Sequence, residues 1–152
     1  MSSYDKLRPW TEIERCECTK ITSLVLVDIL TDNPIHCFTC KGEIDPEALK
    51  LDDKLVDEIA SWFGVFQSLY SLWLNSGEYE HYAKEKLIDK TSQVNTEGVT
   101  VAKKLSARYP TYYWWFYDTD DGDPSHCPNC DQELDMNVRY GTGKCEACNI
   151  VV

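Results

Sequence analysis

Leu55, Ile59, Trp62, Phe66, Leu69 and Trp73 recur at alternating spacings of four and three residues, flanked by Val56, Phe63, Tyr70 and Leu74. That spacing places apolar side chains on one wide stripe of a helix of about six turns. Asp52 or Asp53 can cap its start with a side-chain oxygen, and Asn75-Ser76-Gly77 ends it. Such a stripe serves core packing more readily than it lines a ligand pocket, because its period is so regular. Glu78 to Ile88 predicts a second helix, with Tyr79, Tyr82, Ala83 and Leu87 on one face. A third, begun by Asn95 or Thr96, carries Val101, Ala102 and Leu105 and stops before Pro110.

Outside this helical stretch the period changes. Ile21 to Val27, which overlaps the apolar run Leu24 to Leu30, is rich in β-branched residues, and Asp32-Asn33-Pro34 is a turn signal. Ile35 to Ile44 then reads strand, tight turn, strand. The run Thr111-Tyr112-Tyr113-Trp114-Trp115-Phe116-Tyr117 shows no polar alternation, which predicts a strand apolar on both faces. Asp118 to Pro124 is an acidic turn, and Val138-Arg139-Tyr140 has strand character before the reversal Gly141-Thr142-Gly143.

These elements predict an α+β fold in which a central helical segment packs on a small antiparallel sheet. An N-terminal cysteine region (10–45) and the helices (52–109) fall within a core spanning 1–125, and a C-terminal ribbon spans 126–152. The chain of 152 residues suits one domain with a small appendage.

Eight cysteines change the picture. They form four close pairs: Cys16-x-Cys18, Cys37-x-x-Cys40, Cys127-x-x-Cys130 and Cys145-x-x-Cys148. Met1 to Lys6 leads into no apolar leader-like run, and Leu24 to Leu30 is too short to span a bilayer. A reducing cytoplasm is therefore expected, where paired cysteines serve as metal ligands more often than as cystines. Cys127 and Cys130 are separated from Cys145 and Cys148 by fourteen residues, enough for two short strands and a turn. Four thiolates on two tight turns make a tetrahedral zinc site, with a redox-labile cystine pair as the alternative. Eighteen residues separate Cys18 from Cys37, and Cys16 and Cys18 can chelate a second zinc with Cys37 and Cys40, although one intervening residue is tighter geometry. The alternatives there are plain thiols, or a site shared between the two termini. His36 and His126 each precede a cysteine turn and, as strand neighbours of a ligand, point away from it. His81 is a lone histidine on a helix.

Several chemistries are excluded by pattern. Both four-cysteine sets are closed, whereas a catalytic zinc keeps an open position. The sequence lacks the His-x-Glu half of a deaminase motif, a phosphate loop and a dinucleotide fingerprint. A thioredoxin-like pair should open a helix, but Cys130 precedes ribbon sequence. The Asp118 to Pro124 turn lacks the spacing and distal glutamate of a calcium loop. No enzyme is expected.

Charge narrows the partners. Fifteen basic residues oppose 26 acidic ones, a net charge of −11, and acids exceed bases in every third of the chain. Such a field repels phosphate backbones and favours a basic partner.

The order of features resembles a bacterial family of uncharacterised zinc-ribbon-containing proteins, grouped as a domain of unknown function and described as candidate nucleic-acid binders. The resemblance rests on Asn33 to Cys40, the Trp/Tyr-rich helix ending at Trp73, the strand Pro110 to Tyr117 and the closing ribbon. It implies the architecture, and it implies nucleic-acid binding through the ribbon. Between 126 and 152, however, only Arg139 and Lys144 are basic, opposite Asp131, Glu133, Asp135 and Glu146. A clustered basic footprint is missing. The expected function is accordingly a non-catalytic, zinc-pinned protein-interaction module, for instance an immunity- or antitoxin-like protein that neutralises a basic toxin or enzyme. Nucleic-acid binding is the alternative.

Overall fold

The computed structural model describes residues 2–7, 15–28, 32–138 and 141–152. Residues 10–14 of the expected N-terminal region, Ile29 and Leu30 of the apolar run, and Arg139 and Tyr140 of the expected ribbon strand lie outside the described residues.

Three helices form where the apolar spacing places them. Helix α1 spans Asp53–Asn75, and Asp52 caps it by accepting from the Leu55 N–H at 2.8 Å. Its stripe buries Ile59, Trp62 and Phe66 against the sheet and leaves Leu69, Tyr70 and Trp73 half-buried. Helix α2 spans Glu80–Ile88 and buries only Ala83 and Leu87, while Tyr79 and Tyr82 are exposed. Helix α3 spans Gln93–Leu105 and starts two residues before Asn95.

The early start frees Asn95 for another task. Its buried side chain donates to the carbonyls of Leu87 and Asp89 at 2.9 Å each, finishing α2, and accepts from the Tyr113 hydroxyl at 2.8 Å. One amide thus ties α2, α3 and the sheet together. Asn95→Ala would leave the buried Leu87 carbonyl and Tyr113 hydroxyl, and the partly buried Asp89 carbonyl, without this partner. With each such group costing about 1–3 kcal/mol, a loss of about 3 kcal/mol in urea unfolding is expected.

The five strands are β1 (Leu24–Leu26), β2 (Ile35–Cys37), β3 (Thr111–Trp114), β4 (Lys144–Cys145) and β5 (Ile150–Val151), in the order β2-β1-β3-β5-β4. The edge pairings, β1 with β2 and β4 with β5, are antiparallel. The two central pairings are parallel: Val25 lies opposite Tyr112, and Tyr113 opposite Ile150. The sheet is therefore mixed, which corrects the expectation of an antiparallel one. Long connections allow the parallel pairings: all three helices intervene between β2 and β3, and the first cysteine turn of the C-terminal set lies between β3 and β5.

Strand β3 occupies the centre, so both of its faces are covered. Tyr113 is fully buried on the helical side, edge-on to Trp62 at 5.7 Å and to Trp115 at 5.8 Å. Tyr112 lies on the opposite face with Val25, Val27 and Val151, against Phe38 and Trp114. Gly98 lets α3 sit on this strand, because an added Cβ there would fall 1.9 Å from the Tyr113 ring. Among the described residues, no helix is long and apolar enough to cross a membrane.

Candidate metal centres

The two ends of the sheet carry the cysteines. Cys37 ends β2 at one edge, and Cys145 lies in β4 at the other.

At the first edge, the turn Cys37 to Cys40 is closed by two backbone bonds. The Lys41 N–H donates to the Cys37 carbonyl at 2.9 Å, and the Cys37 N–H to the Gly42 carbonyl at 2.8 Å. Lys41 takes a left-handed conformation (φ 65°), which swings the chain back beneath the turn. The segment carrying Cys16 and Cys18 then lies against it, with the Cys16 N–H donating to the Glu43 carbonyl at 2.8 Å. Gly42 permits this approach, since a Cβ there would stand 2.5 Å from the Cys16 nitrogen.

The second edge repeats the device. The Asp131 N–H donates to the Cys127 carbonyl at 2.9 Å and the Cys127 N–H to the Gln132 carbonyl at 2.7 Å, with Asp131 left-handed (φ 63°). Asn149, directly after Cys148, is left-handed as well (φ 55°). In both Cys37-x-x-Cys40 and Cys127-x-x-Cys130 the first cysteine is buried and the second exposed.

Cys16, Cys18, Cys37 and Cys40 form one group and Cys127, Cys130, Cys145 and Cys148 another, with all four sulfurs of each group within 4.8 Å of one another. All eight are free thiols. The Cys18–Cys37 sulfurs stand 3.9 Å apart and the Cys130–Cys145 sulfurs 3.7 Å apart. A disulfide needs about 2.05 Å. Metal–sulfur bonds of about 2.3 Å at tetrahedral angles put sulfurs ~3.8 Å apart. The spacing is that of ligands sharing an ion, and each group fits metal binding.

The electrostatics agree. Burial pushes Cys16 and Cys127 up to about 12. Partial burial also opposes ionisation of Cys40, but the Gly42 N–H and the three neighbouring thiols hydrogen-bond its sulfur and bring it down to about 7. Cys130 is lowered by the Gln132 N–H first. One thiol in each group is thus shifted toward its thiolate, while Cys16, Cys18, Cys127 and Cys145 are raised, a cost that a bound cation would offset.

Surrounding side chains brace both groups. His36 is buried with its two ring nitrogens 3.0 and 2.9 Å from the carbonyl oxygens of Lys41 and Asn33, so it supports the turn from behind. Burial lowers its pKa, and a neutral ring donates to only one of the two. His126 is exposed beside the Ser125 hydroxyl, and His81 is exposed on α2. Neither histidine belongs to a four-cysteine group. Two further contacts carry no signal in the sequence. The Asn129 side chain reaches the Cys148 sulfur at 3.5 Å, across from its own turn. The Tyr112 hydroxyl bonds both Glu146 oxygens at 2.9 Å, and Lys144 bonds Glu146 at 2.7 Å while lying over the Tyr112 ring. This ties the Cys145–Cys148 turn to the face of the sheet away from the helices.

Comparison with protein-family models, curated proteins and solved structures finds no significant match to this chain.

Proposed function

We propose that both cysteine groups hold zinc as closed structural sites, and that the scaffold they pin is a non-catalytic module that captures a basic protein. The observation that carries this reading is the placement of the two groups at opposite edges of one sheet. Strands of two to four residues are too short to hold a sheet by themselves. An ion at each edge supplies the missing folding energy. Filling all four positions with thiolates leaves no opening for substrate or water at either ion.

The partner follows from charge. A net charge of −11, deepened by minus two at each four-thiolate zinc, steers a cationic surface toward this one. A toxin or enzyme of basic surface is the partner class, which makes an immunity- or antitoxin-like role the specific form proposed. Stacking on nucleic-acid bases would require exposed rings, and Tyr112 and Tyr113 of the central strand and the following Trp115 are buried, with Trp114 half-buried. That burial favours the protein partner over nucleic acid.

Two measurements test the reading. Elemental analysis of the purified protein is expected to give two zinc ions per chain, with all eight thiols titrating only after chelation. Capture from the cells that make the protein should then recover a basic protein, whose association rate falls by at least roughly tenfold as salt screens the field. Recovery of nucleic acid in place of a basic protein would reverse the assignment.

A further inference from the structure

Helix α2 gives the core two side chains, Ala83 and Leu87. A rotation of roughly 100° per residue turns His81, Tyr82, Glu85 and Ile88 away from those two, and all four are exposed. Glu78, Tyr79 and Glu80 lead into the helix and are exposed as well. Of six large apolar side chains exposed among the described residues, Leu74, Tyr79, Tyr82 and Ile88 fall between residues 74 and 88. The apolar surface left in water is thus concentrated at this helix.

Charge is concentrated there too. Lys84 bonds Asp118 and Asp121 at 2.8 and 2.9 Å, which sets the acidic turn after β3 beside α2. Residues 78–90 and 118–123 together hold eight acids against three lysines, −5 of the chain's −11. Among the described residues, Glu78, Glu80 and Glu85 pair with no cation. Lys86 lies 5.6 Å from the centre of the Tyr82 ring, near the outer limit of such a contact, and Tyr82 is still 53% exposed. That ring attracts a cation and has area left for another. Tyr79 is equally exposed, and its ring and hydroxyl meet no partner among the described residues.

We propose that the outward face of α2, with the acidic turn beside it, is where a basic protein docks, its arginines stacking on Tyr79 and Tyr82 and pairing with Glu80 and Glu85. This rests on the reading of the protein as a module that captures a basic partner, and it adds the face and the chemistry that recognises. Tyrosine and arginine are the side chains that interfaces enrich. A tyrosine ring offers a large rigid area with few angles to freeze. A guanidinium is planar, so it stacks on a ring and forks onto a carboxylate. An ammonium is compact and strongly hydrated, and it gains less from the rings. Exposed rings beside free carboxylates therefore select arginine over lysine. An apolar or acidic partner would bury those carboxylates without compensation.

The isotope-labelled, zinc-loaded protein should be titrated with a nona-arginine peptide, beside nona-lysine of the same charge, by calorimetry and amide NMR. Saturable binding is expected, with nona-arginine at least roughly fivefold tighter and the amide shifts centred on residues 78–89. Tyr79→Ala with Tyr82→Ala should weaken nona-arginine at least roughly tenfold and remove most of its advantage over nona-lysine. Glu80→Lys with Glu85→Lys should weaken both peptides at least roughly tenfold. Glu133 and Asp135 are exposed on the C-terminal ribbon, and the same change of charge there, Glu133→Lys with Asp135→Lys, should alter either peptide by less than about threefold. Each variant's melting curve is checked, and where one fails to fold, the shift map of the unaltered protein decides. Shifts centred on another face, equal affinity for the two peptides, or an equal loss from the ribbon pair would overturn this surface and leave the basic-partner reading standing. No saturable binding of either peptide would remove both.

Discussion

Cys130→Ser is expected to remove one metal equivalent per chain and to unfold the end of the sheet that holds β4 and β5. Cys130 is exposed, so packing alone would make its loss nearly neutral, within about 0.5 kcal/mol. Ligation predicts the opposite. Structural zinc contributes apparent binding energies of about 10–16 kcal/mol in small domains, more than the entire stability of many of them. A serine hydroxyl stays protonated at neutral pH and replaces a thiolate poorly. The damage spreads because the site is continuous with the fold: Cys127, Cys145, Leu134, Ile150 and Val152 share the core cluster with Trp62 and Tyr113. Losing β5 uncovers Tyr113 and Trp115, which a red shift of tryptophan emission would report beside a drop from two metals to one. A Cys130→Ser protein that keeps two metals and an unchanged melt would refute metal ligation by this group.

Trp62→Ala is expected to cost about 3–5 kcal/mol of folding stability, the range for truncating a buried large aromatic. Trp62 is 1% exposed, with its ring 5.6 Å from Phe66, 6.2 Å from Phe63 and 5.7 Å from Tyr113. Removing it opens a space between α1 and the central strand that neighbours on rigid elements fill only in part. Urea unfolding followed by circular dichroism measures the loss. Trp73, eleven residues along the same stripe, is half-buried and lines a cavity. Trp73→Leu should therefore cost clearly less stability than Trp62→Ala. Equal costs would mean that the whole stripe is core.

The comparison of those two tryptophans shows how much the helical pattern revealed. Spacing placed both on one face of α1, as found. It could not show that the sheet ends beneath the helix, so that Trp62 meets Tyr113 while Trp73 overhangs the ends of β1 and β3. Asn95 teaches the same lesson. The pattern reads it as a helix start, whereas α3 begins at Gln93, and its bonds to Asp89, Leu87 and Tyr113 span six, eight and eighteen residues and form only in the fold. The direction of the central strands was also hidden, because strand composition does not record which neighbour a crossover will deliver.

By itself the sequence determined the number and placement of the helices, the apolar strand before the last cysteines, the grouping of those cysteines into pairs and the excess of acid. All of these are local: a period of about 3.6, a two-residue gap that fits a tight turn, or a sum of charges. Tertiary structure alone decided that the sulfurs of each expected set come within 4.8 Å of one another, that the two groups lie at opposite edges of one mixed sheet, and that Tyr70, Trp73, Phe116 and Asp28 line one space. Those facts depend on residues far apart in the chain being brought within a few ångströms. Packing and strand order set such distances, and no sequence window contains them.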